Sequence, residues 1–257
     1  MKVVLLAGGL GTRMREETEF RPKPMVDIGG RPVLWHIMKV FATHGYTDFV
    51  ICAGYKGDQI KQYFYNYAVS NLDFTVTLGG SPESTVFHGN QDEFGWKVTV
   101  SDTGPNTPTG GRLKVVERYL GTSPFFCTYG DGIADIDVSA LVATHNSSAK
   151  MATVSVALPK SRFGVVDIGD GDKVTGFREK PDSYSPVSMG YFVFRPEVLS
   201  LLTNNSTLEE EPLARLAEMG ELSVYRHSGF WQPMDTYREY QALNQLWNSG
   251  APPWKVW

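Results

Sequence analysis

The sequence predicts an α/β protein with a doubly wound, mostly parallel sheet of the Rossmann-like type. Short, continuous apolar runs such as KVVLLA are typical of strands that are buried on both faces. These runs alternate with segments of helical periodicity, and strands that alternate with helices pair in parallel through right-handed crossovers. With 257 residues, 42% of them hydrophobic, the chain has enough material for one large core, so we predict a single domain over 1–257.

The alternating elements occupy residues 1–160. The segment PVLWHIMKVFATHG illustrates the argument, because Val33, Leu34, Ile37 and Phe41 fall on one helical face and Gly45 supplies a stop signal. In chain order, the predicted strands are KVVLLA, FVICAGY, FTVTLG, WKVTVSDTG and FFCTYGDGIADID, and the predicted helices are PVLWHIMKVFATHG, KGDQIKQYFYNYAVS, GGRLKVVERYL and VSALVATH.

The pattern changes after the strand-like run MATVSVALP. The segment FGVVDIGDGDKVTGFREKP has a turn rich in glycine and aspartate and predicts a hairpin, an antiparallel addition toward the C-terminus. The segments that follow are a strand, SMGYFVFRP, a polar helix, LEEEPLARLAEMGE, a strand-like stretch, LSVYRHSGFWQPMD, and a last helix, TYREYQALNQLWNSG.

Composition excludes several classes of function. The formal net charge of −4 argues against a nucleic-acid partner, which requires a basic surface. Cys52 and Cys127 lie in apolar runs and make neither a disulfide framework nor a zinc pattern, so we predict buried thiols in a reducing compartment. The sequence has no apolar run long enough to cross a membrane, and Lys2 leads directly into a predicted strand rather than into a signal peptide. We therefore predict a cytoplasmic protein with no membrane partner.

The turn AGGLGTR, just after the first predicted strand, indicates binding of an anion. A dinucleotide fingerprint would require a third glycine where Met14 stands, and a P-loop would require glycine, lysine and serine or threonine where Thr12 and Arg13 stand. What remains is a run of glycines whose backbone can approach a ligand closely, followed by an arginine that can grip phosphate. On its own the pattern also fits an ordinary turn between a strand and a helix.

Three further residues favour phosphate or metal chemistry. Lys23 lies between Pro22 and Pro24, which restrict the backbone on both sides, although a Pro-Lys-Pro loop also arises by chance. Asp131 in YGDG and Asp235 in FWQPMDT each follow a predicted strand, and two carboxylates with substrate phosphates suit Mg²⁺. Either aspartate can equally cap a turn, and the pair Glu179 and Lys180 in REKP can equally be a solvated charged turn.

Taken together, LLAGGLGTR, RPKPM, TYGDG, REKP and FWQPMDT resemble the sugar-1-phosphate nucleotidyltransferases, also called sugar nucleotide pyrophosphorylases. The likeness extends over nearly the whole chain. The stretches TGGRLK and FWQPMDT are most similar to the CTP-using branch, which makes CDP-glucose. The resemblance implies the nucleotide-diphospho-sugar transferase fold, with a nucleotide-binding half over about 1–135 and a sugar-binding half over about 136–257.

The resemblance also implies roles for individual residues. Arg13, Lys23, Asp131 and Lys180 would be catalytic, Asp131 and Asp235 would hold Mg²⁺, and Lys23 would neutralise the phosphate under attack and the departing pyrophosphate. The remaining members of the implied nucleotide site are Leu6, Ala7, Gly8, Gly9, Gly11, Thr12, Thr107, Gly111, Arg112 and Gly130. The implied sugar-phosphate site consists of Gly164, Glu179, Lys180, Ser188 and Gly190.

The implied reaction joins CTP to glucose 1-phosphate, giving CDP-glucose and pyrophosphate, within lipopolysaccharide O-antigen biosynthesis. One departure concerns the sugar. Glucose-specific family members carry an Asn-Gly-Gly run where this chain reads Ser188, Met189 and Gly190, and serine lacks the paired donor and acceptor of asparagine. The family forms symmetric oligomers, which implies a homo-oligomer. The aromatic clusters QYFYNY and PPWKVW are compatible with subunit contacts and equally with core packing.

Two alternatives remain at this point. The first is the same transfer with another sugar 1-phosphate or other phosphorylated acceptor, or with UTP or dTTP. The second is a non-catalytic nucleotide-binding regulatory subunit, which has no need of Arg13, Lys23, Asp131 and Asp235 together. A nicotinamide-dependent dehydrogenase is disfavoured by Met14.

Overall fold

A mixed sheet forms the centre of the computed structural model, which describes residues 1–79, 84–89, 93–159, 164–179 and 185–257. The strands in these ranges are β1 (Val3–Ala7), β2 (Asp27–Ile28), β3 (Arg31–Pro32), β4 (Asp48–Ala53), β5 (Asp73–Thr75), β6 (Val86–His88), β7 (Lys97–Asp102), β8 (Phe125–Tyr129), β9 (Gly132–Ala134), β10 (Ala152–Ala157), β11 (Val165–Ile168), β12 (Val174–Arg178), β13 (Val187–Phe194), β14 (Leu222–Arg226) and β15 (Trp231–Pro233). The helices are α1 (Arg15–Thr18), α2 (Val33–Thr43), α3 (Gly57–Tyr65), α4 (Tyr67–Asn71), α5 (Thr109–Leu120), α6 (Val138–Ser148), α7 (Glu211–Glu218) and α8 (Tyr237–Asn248).

The main sheet, as far as the chain is described, has seven strands in the order β14–β10–β13–β8–β1–β4–β7. All neighbouring pairs are parallel except those of β13, which runs antiparallel to β8 and to β10. The predicted α/β fold with a mostly parallel sheet is therefore confirmed. The predicted hairpin is the separate two-stranded sheet of β11 and β12.

Helices cover both faces of the main sheet, as a doubly wound fold requires. Alternate residues of β1 point to opposite faces: Leu5 packs in a cluster that includes residues of α2, and Val4 in a second cluster with Leu113 of α5. Both cysteines are free and buried in the second cluster, and burial raises the pKa of the Cys52 thiol to about 12. They are packing residues, as the apolar runs predicted.

Three segments differ from the sequence prediction, and one of them, the strand-like stretch LSVYRHSGFWQPMD, forms two strands, β14 in the main sheet and β15 paired with β9. The run FTVTLG is only partly a strand and lies outside the main sheet, because β5 pairs with β6 in an exposed hairpin. Its alternation of apolar and threonine residues is typical of an antiparallel strand with one solvated face rather than a strand buried on both faces. The single helix predicted over KGDQIKQYFYNYAVS breaks at Asn66, whose backbone (φ −95°, ψ 16°) ends α3. Asparagine favours turns over helix interiors.

The C-terminal aromatic cluster is largely core packing. Trp254 is fully buried, and its indole N–H donates to His36 Nδ1 at 3.3 Å. Burial lowers the pKa of His36 to about 4, so this histidine is neutral at physiological pH. In QYFYNY, by contrast, Tyr65 is 91% exposed. No described helix has the length and hydropathy needed to cross a membrane.

Candidate active site

A cleft of about 310 Å³ opens where several chain segments leave the main sheet. The glycine-rich turn follows β1, Asp131 follows β8, and the segment Thr107–Arg112 runs from the end of the β7–α5 loop into the first turn of α5. The carboxyl ends of these parallel strands share one edge of the sheet, which brings distant motifs together. The predicted residues that line the cleft are Leu6, Ala7, Gly8, Gly9, Gly11, Thr12, Arg13, Lys23, Thr107, Arg112, Asp131 and Asp235. Pro24, Pro108, Thr109 and Tyr129, which were not predicted, also line it.

Four charged side chains, here called the charged rim, meet at one side of the cleft: Arg13, Lys23, Asp131 and Asp235. Lys23 Nζ lies 2.6 Å from Asp131 Oδ2 and 2.6 Å from Asp235 Oδ1. Arg13 Nη2 lies 3.0 Å from the same Oδ1 of Asp235. The two carboxylates, which are 104 positions apart in the numbering, therefore converge on one ammonium group.

The lysine of the charged rim is held in place by its backbone and its burial. Pro22, with φ −67°, leads into a 3-10 turn over Lys23–Met25. The Lys23 side chain is only 11% exposed. Burial lowers the pKa of Lys23, but the Asp131 carboxylate and the hydrogen bonds to both aspartates raise it by more. The net pKa is above its ordinary value, so the group is a permanent cation in the physiological range.

Arg13 is the exposed member of the charged rim, with 71% of its side chain in contact with solvent. Its ion pair with Asp235 engages one terminal nitrogen, and most of the guanidinium faces solvent at the mouth of the cleft. An arginine in this position can form a bidentate contact with an incoming phosphate.

The backbone of Asp235 is held by Glu239, one turn into α8. Glu239 Oε2 accepts hydrogen bonds from the N–H groups of Asp235 at 2.8 Å and Thr236 at 2.9 Å. The Thr236 hydroxyl in turn accepts from the Glu239 N–H at 3.3 Å, which completes a capping box. Glu239 was not predicted as a site residue, although the spacing T-x-x-E before an apolar helix carries the signal.

The glycine-rich turn requires glycine at two of its positions. Gly11 has φ +63°, and a Cβ there would lie 2.7 Å from Thr18 Cγ2. A Cβ on Gly8 would lie 2.0 Å from Arg112 Nη1. A Cβ on Gly9 would meet nothing within 4 Å, so this part of the turn opens on free space.

Arg112 and its acceptors form a second region of the cleft, here called the Arg112 wall. The side chain is buried, and its guanidinium donates to acceptors from three chain segments. These are Gly8 O at 3.0 Å, Ala53 O at 3.4 Å, Thr103 Oγ1 at 2.6 Å, Gly104 O at 2.8 Å and Pro105 O at 3.3 Å. Burial lowers the pKa of Arg112. The arginine braces the loops that shape the cleft, a role that the sequence did not predict.

Two predicted nucleotide-site glycines are not among the described residues that line the cleft. Gly111 donates its N–H to Ser206 O at 2.9 Å, and a Cβ there would lie 2.2 Å from Asn204 O. Gly130 donates to Leu6 O at 3.0 Å, and a Cβ there would lie 3.0 Å from Pro24 Cγ. Both glycines allow close packing of the segments around the cleft.

A carboxylate that was not predicted joins two residues that line the cleft. Glu209 accepts a hydrogen bond from the Tyr129 hydroxyl and one from Thr109 Oγ1 at 2.6 Å. Thr109 Oγ1 also accepts from the Leu208 N–H at 2.9 Å. In the sequence, Glu209 belongs to the run LEEEP, which we interpreted only as the start of a polar helix.

The predicted sugar-phosphate residues fall outside the described lining of this cleft. Gly164 and Glu179 lie side by side at the open end of the β11–β12 hairpin, since a Cβ on Gly164 would be 3.2 Å from Glu179 Oε2. In β13, Ser188 Oγ accepts from the Gly190 N–H at 3.2 Å. Gly190 has φ +77°, and a Cβ there would lie 2.1 Å from the Tyr129 ring. Lys180 lies outside the described residues.

Comparison with known proteins identifies the family of this chain. The model of the family described as nucleotidyl transferase matches residues 2–232. The chain belongs to the nucleotidyl transferase family. It is 48% identical to glucose-1-phosphate cytidylyltransferase of Salmonella typhimurium, and the match covers the full length of both chains. It is 42% identical, again over both full lengths, to a protein of Bacillus subtilis named probable glucose-1-phosphate cytidylyltransferase. The predicted resemblance is confirmed.

Solved structures of similar shape agree on the fold of this nucleotidyl transferase. A putative glucose-1-phosphate thymidylyltransferase from Bacillus anthracis superimposes with a TM-score of 0.69 at 23% identity, covering 96% of this chain and 94% of that one. HddC from Yersinia pseudotuberculosis superimposes with a TM-score of 0.68 at 21% identity, covering 96% and 99%.

Asp131 and Asp235 are the residues of the charged rim that could hold a divalent cation. Asp131 and Asp235 approach each other closely enough to share one ammonium, and the same arrangement can share one divalent cation. Among the described residues no cluster of three or more potential metal ligands occurs. Two carboxylates are nevertheless typical of Mg²⁺ sites that draw further ligands from substrate phosphates and water.

Proposed function

We propose that this protein joins CTP to glucose 1-phosphate, releasing pyrophosphate and forming CDP-glucose. The observation that carries the proposal is the convergence of Lys23, Asp131 and Asp235 at the rim of a glycine-lined cleft. The choice of CTP and glucose 1-phosphate is supported by the full-length relatives, which are named glucose-1-phosphate cytidylyltransferase.

In the proposed reaction a phosphate oxygen of the sugar phosphate attacks the α-phosphorus of CTP, and the bond from that phosphorus to the bridging oxygen of pyrophosphate breaks. The nucleophile is already an anion, so no protein base has to remove a proton. The protein brings several anions together and stabilises the charge that spreads over them, which is catalysis by positioning and electrostatics.

Within that scheme, each member of the charged rim has a distinct task. Lys23 presents a fixed, permanent positive charge to the phosphate under attack, and exposed Arg13 binds the outer phosphates of the nucleotide. Asp131 and Asp235 hold Mg²⁺, which supplies positive charge to the triphosphate when bound. Glu239 fixes the backbone of Asp235 through two hydrogen bonds.

We assign the sugar phosphate to the hairpin and β13. Glu179 lies beside Gly164, which suits contacts to sugar hydroxyls, and Ser188 and Gly190 lie on the strand next to β8. Lys180 is proposed to bind the phosphate of the sugar. The substitution Lys180→Ala should raise the KM for glucose 1-phosphate more than that for CTP, and equal effects on both would count against this role.

We also propose that the protein is a cytoplasmic homo-oligomer. The support is a set of large apolar side chains on one stretch of the chain, namely Tyr65, Leu78 and Phe94, which are 91%, 90% and 92% exposed. Tyr65 and Phe94 line the same cavity of about 770 Å³, and contiguous exposed apolar surface is typical of a contact with another protein chain. Light scattering coupled to size exclusion measures the mass directly, and a monomer of 28.6 kDa would refute the oligomer.

The experiment that tests the main proposal measures pyrophosphate release with Mg²⁺ over a grid of substrates. CTP, UTP, dTTP, ATP and GTP are each combined with glucose 1-phosphate and several other sugar 1-phosphates. The proposal expects a single maximum at CTP with glucose 1-phosphate. A maximum with another sugar 1-phosphate would mean that the enzyme prefers a different sugar, and Ser188 and Met189 would be the first residues to test for that preference. No release with any pair would leave only a nucleotide-binding role.

A further inference from the structure

The hydroxyl groups of Tyr129 and Thr109 both donate hydrogen bonds to Glu209, and this direction affects which ligand groups they can bind. Tyr129 and Thr109 line the cleft, whereas Glu209 is exposed and reaches them from the segment just before α7. One carboxylate thus engages two hydroxyl groups from different chain segments, one at the end of β8 and one at the start of α5.

An ionised carboxylate can only accept hydrogen bonds, so each hydroxyl has to direct its single proton toward Glu209. The bonds are charge-assisted and therefore stronger than those between neutral groups. Thr109 Oγ1 also accepts the Leu208 N–H at 2.9 Å, which fixes its orientation further. With both protons engaged, the Tyr129 and Thr109 oxygens can offer only lone pairs to a ligand.

These oxygens also have little freedom to move. The Tyr129 ring lies against Gly190, where a Cβ would be 2.1 Å from its Cδ2 atom. Thr109 is the first residue of α5, so its backbone is held by the helix. This side of the cleft is therefore a preorganised surface of hydrogen-bond acceptors.

Pyrimidine bases differ in the group that such a surface would meet. Cytosine carries an amino group, a donor, at the ring position where uracil and thymine carry a carbonyl, an acceptor. A buried or confined acceptor facing a carbonyl leaves both groups unpaired, whereas an amino group satisfies it.

We propose that Glu209 is a specificity-determining residue. By accepting the hydroxyl protons of Tyr129 and Thr109, it leaves both oxygens as hydrogen-bond acceptors, and the cleft therefore selects cytosine over uracil. This inference rests on the proposed CTP-dependent function and deepens it. Glu209 acts through the two hydroxyls rather than by touching the reacting phosphates.

The test measures binding by calorimetry, with Mg²⁺ present and no sugar phosphate, so that no turnover is required. Wild type, Glu209→Ala and Tyr129→Phe are each titrated with CTP, UTP and dCTP. Glu210→Ala is the matched control, because it removes the same charge from the adjacent exposed residue, which makes no capping hydrogen bond.

We expect wild type to bind CTP at least ~10-fold more tightly than UTP, the scale of one well-placed hydrogen bond. In Glu209→Ala the freed hydroxyls can turn their protons into the cleft, so CTP weakens, UTP strengthens and the preference falls by about 10-fold. Tyr129→Phe should weaken CTP without helping UTP, because an acceptor is lost and no donor is gained. Glu210→Ala should leave all three affinities unchanged.

Three results would overturn the inference. The first is a ratio of CTP to UTP affinity in Glu209→Ala equal to that of wild type, and the second is equal affinity of wild type for CTP and UTP. The third is a Glu209→Ala variant whose ratio of CTP to dCTP affinity changes while its preference for CTP over UTP stays the same. The last would place the ribose 2′-hydroxyl, rather than the base, against the hydroxyls of Tyr129 and Thr109.

Wild-type pyrophosphate release, measured in parallel, separates this inference from the proposed function. CTP-selective binding that depends on Glu209, without any transfer, would refute the function alone. Transfer from CTP with a Glu209-independent preference would refute the inference alone.

Discussion

The Arg112 wall and the charged rim line the same cleft and are held by different interactions. In the wall, a buried guanidinium is surrounded by main-chain carbonyls and one hydroxyl, with no carboxylate among these hydrogen-bond partners. In the rim, two cations and two anions satisfy one another while most of them keep contact with solvent. The guanidinium of the wall is held by backbone carbonyls, whereas the more exposed groups of the rim can exchange partners with the phosphates and metal ion proposed to bind there.

This difference teaches that two arginines in neighbouring binding motifs need not share a task. Arg13 and Arg112 were both predicted as nucleotide ligands. Arg13 faces solvent and is available to phosphate, while the donors of Arg112 are directed at loop carbonyls. Substitutions in the rim should therefore reduce activity with little loss of stability, and substitutions in the wall should reduce stability first.

The largest effect is expected for Lys23→Ala. Loss of the fixed charge beside the reacting phosphate should reduce turnover on the order of 1,000-fold, the scale of removing a principal electrostatic stabiliser. Initial rates of pyrophosphate release measure this. Lys61→Ala, at an exposed lysine 3.7 Å from Asp102, is the control and should retain full rates. Near-normal turnover in Lys23→Ala would show that the rim does not act on the reacting phosphate.

Arg112→Ala should lower the free energy of unfolding by about 3 kcal/mol, because the buried carbonyls of Gly8 and Ala53 and the buried Thr103 hydroxyl lose a charged donor. Arg112→Lys should recover only part of this loss, since lysine keeps the charge but lacks the planar fork. Urea denaturation measures both. If Arg112→Ala were as stable as wild type and lost only affinity for CTP, the wall would be a ligand site like the rim.

Asp131→Asn should reduce turnover about 100-fold and raise the Mg²⁺ concentration required for the half-maximal rate. The amide keeps the shape of the side chain and removes the charge that we propose holds the cation. Rates measured over a Mg²⁺ titration test this. A variant with wild-type rates at the same Mg²⁺ concentration would contradict the assignment of this aspartate as a metal ligand.

A smaller effect is expected for Glu239→Ala, compared with Thr236→Ala. Each removes one half of the capping box and should cost about 1 kcal/mol of stability. Only Glu239 also holds the N–H of Asp235, so only Glu239→Ala should raise the Mg²⁺ requirement several-fold. Equal Mg²⁺ requirements in the two variants would reduce Glu239 to a helix cap.

The smallest effect on stability is expected for Arg13→Ala, since an exposed ion pair contributes little to folding. The KM for CTP should rise by roughly 5-fold, about 1 kcal/mol of lost binding, with the melting temperature unchanged. Steady-state kinetics and thermal denaturation together test this. A lowered melting temperature would erase the contrast between the two arginines.

Much of the fold was predictable because its strands are continuous apolar runs. KVVLLA and FVICAGY became the adjacent central strands β1 and β4, each buried on both faces. FTVTLG was misplaced because its alternating pattern fits any half-buried strand and does not specify a partner. The order of the main sheet, with β13 between β8 and β10, depends on long-range packing that local periodicity does not contain.

The candidate site was predictable in its motifs and not in its contacts. Lys23 was singled out by its flanking prolines, but its simultaneous contact with Asp131 and Asp235 arises from three chain segments folded together. Glu209 gave no signal, because a run of glutamates before a helix usually faces solvent. The stretch TGGRLK indicated that Arg112 belongs to the cleft, which it lines, but its burial and its carbonyl partners cannot be read from that stretch.

The Arg112 wall also affects how the segments around the cleft open locally. One guanidinium serves acceptors on the turn after β1, on the end of β4 and on the loop after β7. If any of these segments moves away, the guanidinium and its other acceptors lose part of their pairing, so the segments are not free to open one at a time. Their amide protons should therefore exchange with deuterium as one group, at a common rate slower than that of the exposed β5–β6 hairpin.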